Sequence, residues 1–217
     1  RFAVRFTLSN LSLLKDSIAS VQKMLDLNCE PLAIYESLQH SGLPASYILN
    51  GLRLPGIIDR FEAGCRAIVG QQVTVKAAIG QLNLLQATLN EASTPSLFVS
   101  AQQVAEADLS FLKMPNARKA TLKAFAQFML LNPDASVDEW LQIKGIGAWT
   151  VNYVNMRNSD SPDIFLATDL VVKNQIKKLA EKQININEEL AAPWRSYLTL
   201  SLWNISNGVY PAVVNAR

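Results

Sequence analysis

"LQIKGIGAWTVNYVNMRNSDSPDIFLATDL", residues 141–170, is the stretch that decides the fold. Gly145 and Gly147 flank Ile146 between two helical patterns, "SVDEWLQI" before them and "GAWTVNYVNMRN" after them. Glycine reaches backbone conformations closed to other residues and lets another backbone come close. The turn then points several amide N–H groups at one spot where the next helix begins. Such a nest, with the positive end of a helix behind it, binds an anion without Lys or Arg. A DNA phosphate is a natural fit, while a plain helix–helix turn stopped by Gly is the bland reading of the same residues. Twenty residues after Trp149 a lone carboxylate, Asp169, closes an apolar run and opens the pattern "TDLVVKNQIKKLAEK". An Asp there is either an ordinary N-cap or a carboxylate whose charged form the helix amides and dipole favour.

Working outward, the chain reads as helical from Ser9 onward. "SNLSLLKDSIASVQKMLDL" opens on cap-type residues and repeats apolar positions at three-and-four spacing. "EPLAIYESLQ" is a second short helix, and the breaker-rich "SGLPASYILNGLRLPG" is a connection. "IIDRFEAGCRAIVGQQVTVKAAIGQLNLLQATLNEA" gives two helices, or one bent near Gly70–Gln72, and "TPSLFVSAQQVAEA" a turn and a short helix. "NARKATLKAFAQFMLLN" is amphipathic, Ser136 with Glu139 forms a capping box, and "APWRSYLTLSLWNIS" closes the set. The expectation is a mainly α chain of about ten helices in two helical subdomains. The opening "RFAVRFTLS" differs: Phe2, Val4, Phe6 and Leu8 alternate with polar residues, a strand pattern. With no clear partner later in the chain, it is expected to be the remnant strand, residues 1–9, of a preceding β region. Residues 10–217 then form the helical domain, its helix–hairpin–helix at about 137–157.

Composition narrows the chemistry. The chain has 217 residues, 49% of them hydrophobic, and a net charge of +2, which leaves nucleic-acid binding to local patches rather than to overall charge. Cys29, Cys65 and His40 are its only cysteines and histidine, so neither a cysteine-based zinc site nor a four-cysteine iron–sulfur cluster is expected. A reduced intracellular setting, cytoplasmic or nucleoid-associated, is the easier reading. No run of 18 apolar residues or signal pattern suggests a membrane.

Together, "LQIKGIGAWTVNYVNMR" and "DIFLATDLVVKNQIKKL" resemble the helix–hairpin–helix DNA glycosylase superfamily. More narrowly, "RLPGIIDRFEAGCRAIVGQQV", "GIGAWTVNY" and "PWRSYLTLSLW" look like the 3-methyladenine DNA glycosylase II family, its alkylation-repair branch. The likeness runs from about Ser9 to Trp203, and "RFAVRFTLS" resembles the final strand of the family's N-terminal β domain.

That resemblance implies a monofunctional glycosylase, acting as a monomer on double-stranded DNA with alkylated bases. It would hydrolyse the bond from sugar to base and leave an abasic site. Asp169 matches the catalytic Asp, which would stabilise an oxocarbenium-like transition state near C1′. Thr168 stands where a relative has a second acid. In related enzymes that also cut the strand, the position of Trp149 is a lysine that forms a Schiff base; its absence speaks for hydrolysis alone. Trp149, Tyr153 and Trp203 match the base pocket, where electron-rich rings suit a cationic alkylpurine, although core packing is the ordinary role of such residues. Gln71 and Gln72 fall in the loop expected to enter the duplex, Gln72 at the intercalating position. Lys144, Gly145, Gly147, Ala148, Thr150 and Lys173 are the remaining expected DNA contacts. Backbone carbonyls of Leu141, Ile143 and Ile146 match a monovalent-cation site for Na+ or K+, and no other cofactor is expected. Two other readings stay open: a non-catalytic module that binds damaged DNA, and a bifunctional glycosylase/lyase for oxidised bases.

Overall fold

The computed structural model describes residues 3–90, 98–158 and 161–211. Helix starts follow local capping chemistry. Helix α1 (Leu14–Met24) continues a 3-10 turn, Leu11–Leu13, capped by Asn10, and α2 (Pro31–His40) begins on a proline whose missing N–H no helix start needs. Asp59 accepts the Glu62 N–H at the head of α3 (Arg60–Gly70), and Thr74 that of Ala77 at the head of α4 (Val75–Leu89). The expected bend at Gly70–Gln72 is thus a break between two helices. Ser100 with Gln103 forms a reciprocal capping box on α5 (Ala101–Glu106). Then come α6 (Asn116–Leu131), a 3-10 segment Val137–Gln142 under the Ser136–Glu139 capping box, α7 (Ala148–Asn158), α8 (Leu170–Glu181) and α9 (Arg195–Ser206). The turn expected within residues 94–97 lies outside the described residues.

No strand occurs among the described residues, and residues 3–8 take no regular structure. The alternation of "RFAVRFTLS" is real in sequence, but a strand needs a neighbouring ladder for its N–H and C=O groups and none is present among the described residues. Val4, on the apolar side of that alternation, is 47% exposed. Phe2 lies outside the described residues.

Two apolar cores form, in keeping with two helical subdomains. The first joins α3, α4, α5, α6 and the start of α7. There Phe61 stacks on Phe125, centroids 5.3 Å apart, and Phe125 meets Trp140 edge-on at 4.6 Å. Gly64 makes this approach feasible, because a Cβ there would lie 2.2 Å from Phe125 Cζ. The second core joins α2, α8 and α9 around Leu38, Leu166, Val172, Tyr197 and Leu202. Helix α7 runs along the seam: Val151 and Val154 belong to the first core, Met156 to the second, and Tyr153 packs against both. The head of α7 and the cap of α8 are thereby brought together, Trp149 Nε1 lying 2.8 Å from Asp169 Oδ2.

Candidate active site

The hairpin is built around a tight approach to α6. Gly145 has φ +94°, and a Cβ on it would lie 2.1 Å from Thr121 Oγ1. Only glycine satisfies both the left-handed backbone and the packing. Thr121 Oγ1 lies 3.0 Å from the carbonyl oxygens of both Ala117 and Lys144, which ties the hairpin to α6. Ile143 and Ile146 are buried beneath the turn, and the Ile146 N–H donates to the Ile143 carbonyl at 3.0 Å. Gly147 differs from Gly145. Its φ is outside the left-handed region, and a Cβ there would meet nothing within 4 Å. Its carbonyl accepts the Thr150 and Val151 N–H groups, so it occupies the cap position of α7. The N–H groups of Ala148 and Trp149 then precede the first helical bond and point outward with the helix dipole behind them. Lys144, Gly145, Gly147 and Ala148 are all exposed on this side. Thr150 is a correction: it is 1% exposed, its N–H is spent on Gly147, and its hydroxyl accepts from Gln71. Buried in this way, it braces the hairpin from behind.

Gln71 is likewise turned toward protein. Its Nε2 donates to Gly145 O and to Thr150 Oγ1, both at 3.0 Å, pinning the α3–α4 loop onto the hairpin. The side chain expected on DNA therefore acts one layer behind it. Gln72 is the exposed one, at φ +55°, followed by an exposed Val73. A non-glycine residue held in the left-handed region projects its side chain at the crest of a turn, the place from which a plug could reach a duplex.

Asp169 lies against the head of α7. It is the N-cap of α8: its Oδ1 accepts the Val172 N–H at 2.9 Å, and its own N–H donates to Leu166 O. The cap reading is therefore correct, and it is not the whole role. Trp149 Nε1 donates to Oδ2 at 2.8 Å and Trp203 Nε1 to Oδ1 at 3.2 Å. The carboxylate is 8% exposed. Of roughly four acceptor directions on a carboxylate, two on Oδ1 and one on Oδ2 are used, so the remaining free direction belongs to Oδ2. The three aromatic residues assigned to a pocket form a row with Tyr153 in the middle. Trp149 stacks on Tyr153 at 5.3 Å with 21° between planes, and Tyr153 meets Trp203 at 6.4 Å and 40°. Trp149 lies against the first core, Trp203 against the second. Arg157, which follows Tyr153 by one turn, places its guanidinium carbon 6.0 Å from the Tyr153 centroid. Its spacing of eight from Trp149 puts it on the same helix face, a periodicity legible in the sequence. Thr121, by contrast, gives no such signal, since its role arises from a contact 23 residues away.

Lys173 is exposed one turn into α8, on the side of Asp169. Asp163, six residues before Asp169, is held by Arg195. The Leu141, Ile143 and Ile146 carbonyls are oxygen donors of the kind that a hard cation takes. Leu141 is 52% exposed, and the Ile143 carbonyl keeps one lone pair after accepting from Ile146. No helix of the described residues is long and apolar enough to cross a membrane.

The AlkA N-terminal domain family matches residues 1–59, which takes in α1 and α2 as well as the irregular start. The chain is 31% identical over 204 residues to DNA-3-methyladenine glycosylase 2 of Escherichia coli (strain K12), spanning 87% of this chain and 71% of that protein. It is 31% identical over 211 residues to the probable bifunctional transcriptional activator/DNA repair enzyme AlkA of Mycobacterium tuberculosis, spanning 88% of this chain and 42% of that protein. The structure of 3-methyladenine DNA glycosylase from Archaeoglobus fulgidus superposes with a TM-score of 0.68 at 17% identity, covering 92% of this chain and 77% of that one. That of Schizosaccharomyces pombe 3-methyladenine DNA glycosylase (Mag1) in complex with abasic DNA superposes with a TM-score of 0.57 at 20% identity, covering 88% and 97%. The structural likeness shows the fold.

Proposed function

The chain belongs to the DNA-3-methyladenine glycosylase 2 family, and on that premise we propose that it excises alkylated purines from double-stranded DNA by hydrolysis, as a monomer, leaving an abasic site. The observation that carries this reading is one carboxylate, Asp169, oriented by two indole N–H groups, one from a ring packed on each core. A base inside the stack keeps C1′ out of reach, so the nucleotide must first be everted. The hairpin amides at Ala148 and Trp149 hold a backbone phosphate beside the lesion, and Gln72 fills the vacated space in the duplex.

The chemistry then needs little from the protein. N3- or N7-alkylation gives the purine a positive charge, and cleavage of the C1′–N bond lets it depart neutral with the bonding electron pair. Positive charge develops on the sugar, where the free direction of Asp169 Oδ2 can meet it. Water adds to C1′ and its proton passes to the carboxylate. Trp149, Tyr153 and Trp203 supply electron-rich ring surface for the cationic base, worth about 1–3 kcal/mol. No amine stands in the position of Trp149, so the pathway ends at the abasic site and not at a severed strand.

The decisive assay is incubation with methylated duplex DNA and chromatography of what is released. Free 3-methyladenine and 7-methylguanine are expected, with strands intact until alkali is added. DNA that is bound while every base is retained would reduce the protein to a binding module, and a borohydride-trapped covalent adduct would make it a lyase. We propose also that a monovalent cation at the Leu141, Ile143 and Ile146 carbonyls strengthens the phosphate grip. DNA affinity in Na+ or K+ should then exceed that in tetramethylammonium at one ionic strength, and equal affinities would remove the ion from the account.

A further inference from the structure

The connection that delivers Asp169 has no regular structure over residues 161–166, yet its backbone is fastened at one place, the first turns of α9. The Ser196 N–H donates to Pro162 O at 2.9 Å, the Ile164 N–H to Ser196 Oγ at 3.0 Å, and the Leu166 N–H to Thr199 Oγ1 at 3.2 Å. Arg195 grips Asp163 with two parallel bonds, Nε to Oδ1 at 2.8 Å and Nη2 to Oδ2 at 3.0 Å, and its backbone N–H reaches Oδ1 at 3.4 Å. Arg195 Nη1 also lies 3.3 Å from Glu189 Oε1. The bond from Arg195 holds the Asp163 carboxyl below the usual carboxylate range. Leu166 O then accepts the Asp169 N–H, and this turn aims the carboxylate. Trp203, two helical turns beyond Arg195 on the same helix, donates its indole N–H to that carboxylate. The links close a ring: α9 from Arg195 to Trp203, Trp203 to Asp169, the connection back to Asp163, and Asp163 to Arg195.

Ser196 and Thr199 are fully buried, so changing them disturbs the second core. The Arg195–Asp163 pair is about a quarter exposed on each side. A pair in that setting contributes little to global stability, whereas a two-point grip fixes geometry well. We propose that Arg195 is a positioning residue for base excision: by clasping Asp163 it holds the connection against α9, so that Asp169 and Trp203 keep one spacing. This rests on the reading of Asp169 given under Proposed function.

The test is single-turnover excision from a duplex carrying one 7-methylguanine, with enzyme in saturating excess. The rate constant then does not depend on the fraction of enzyme that is active. Arg195→Gln is expected to lower that constant about 10- to 100-fold while DNA affinity stays within about twofold, the signature of lost alignment rather than lost binding. Arg195→Lys keeps the charge but not the fork and should recover part of the rate. Asp163→Asn should match Arg195→Gln, and the double variant should be no slower than either single one, because one link is cut in all three. An unchanged constant in Arg195→Gln, or losses that simply add, overturns the proposal. Asp169→Asn measured alongside separates the two levels. Full activity there defeats the functional reading itself, whereas an inactive Asp169→Asn beside an unimpaired Arg195→Gln defeats only the positioning role.

Discussion

Asp169→Asn is expected to slow base release about 10²- to 10³-fold, the usual cost of removing one charge that stabilises a transition state, while DNA binding and fold persist. The fold should persist because Asn is as good an N-cap as Asp. Its amide oxygen can keep the Val172 N–H that Asp169 Oδ1 now accepts. The amide nitrogen must then take the place of Oδ2, where Trp149 Nε1 donates at 2.8 Å, so donor faces donor. That mismatch disturbs the indole locally at about 1–3 kcal/mol, which Asp169→Ala would avoid at the expense of the cap. Excision rate, DNA affinity and thermal midpoint measured on both variants separate the two effects. If charge at C1′ matters, both are slow. If only the donor–donor clash at Trp149 matters, Asn is slow and Ala is not. Full excision by both would end the assignment of Asp169.

The helices and their order were legible in sequence because capping boxes and three-and-four periodicity are local. Ser136 with Glu139 and the break near Gly70 needed no tertiary information. The strand pattern at residues 1–9 is of the opposite kind, since strands are made by partners and the described residues offer none, so residues 3–8 take no regular structure here. At the site, Asp169, Trp149 and Trp203 were found through motif likeness, and periodicity alone left each of them as a cap or a core ring. What the sequence withheld was direction. Gln71 and Thr150 face each other and not solvent, and Gly145 and Gly147, alike in the quoted motif, differ in conformation and surroundings. Side-chain direction depends on contacts 23 to 79 residues apart, such as Thr121 with Lys144 and Gln71 with Thr150, which spacing does not encode.

That difference between the two glycines yields the second large effect, because one holds the hairpin and the other leaves room above it. Gly145→Ala must put a Cβ 2.1 Å from Thr121 Oγ1 at a backbone φ of +94°. The left-handed conformation alone costs an alanine about 1–2 kcal/mol, and relieving the contact pulls Thr121 from the Lys144 carbonyl. A loss of more than about 2 kcal/mol in urea unfolding is expected, with DNA affinity falling because the turn itself is displaced. Gly147→Ala has neither penalty: no atom lies within 4 Å of its Cβ, and its φ is not left-handed. Alanine is a poorer cap than glycine, so stability should fall by less than about 1 kcal/mol. The new methyl group, however, occupies the open side from which a phosphate would approach the Ala148 and Trp149 amides. Loss of one charge-assisted bond there, about 1.5–3 kcal/mol, lowers DNA affinity roughly 10- to 100-fold. Urea titration paired with DNA binding at one fixed salt concentration reads both quantities. A stable Gly147→Ala variant with undiminished affinity would mean that no phosphate sits on the hairpin amides, and the backbone grip proposed for this enzyme would have to lie elsewhere on the chain.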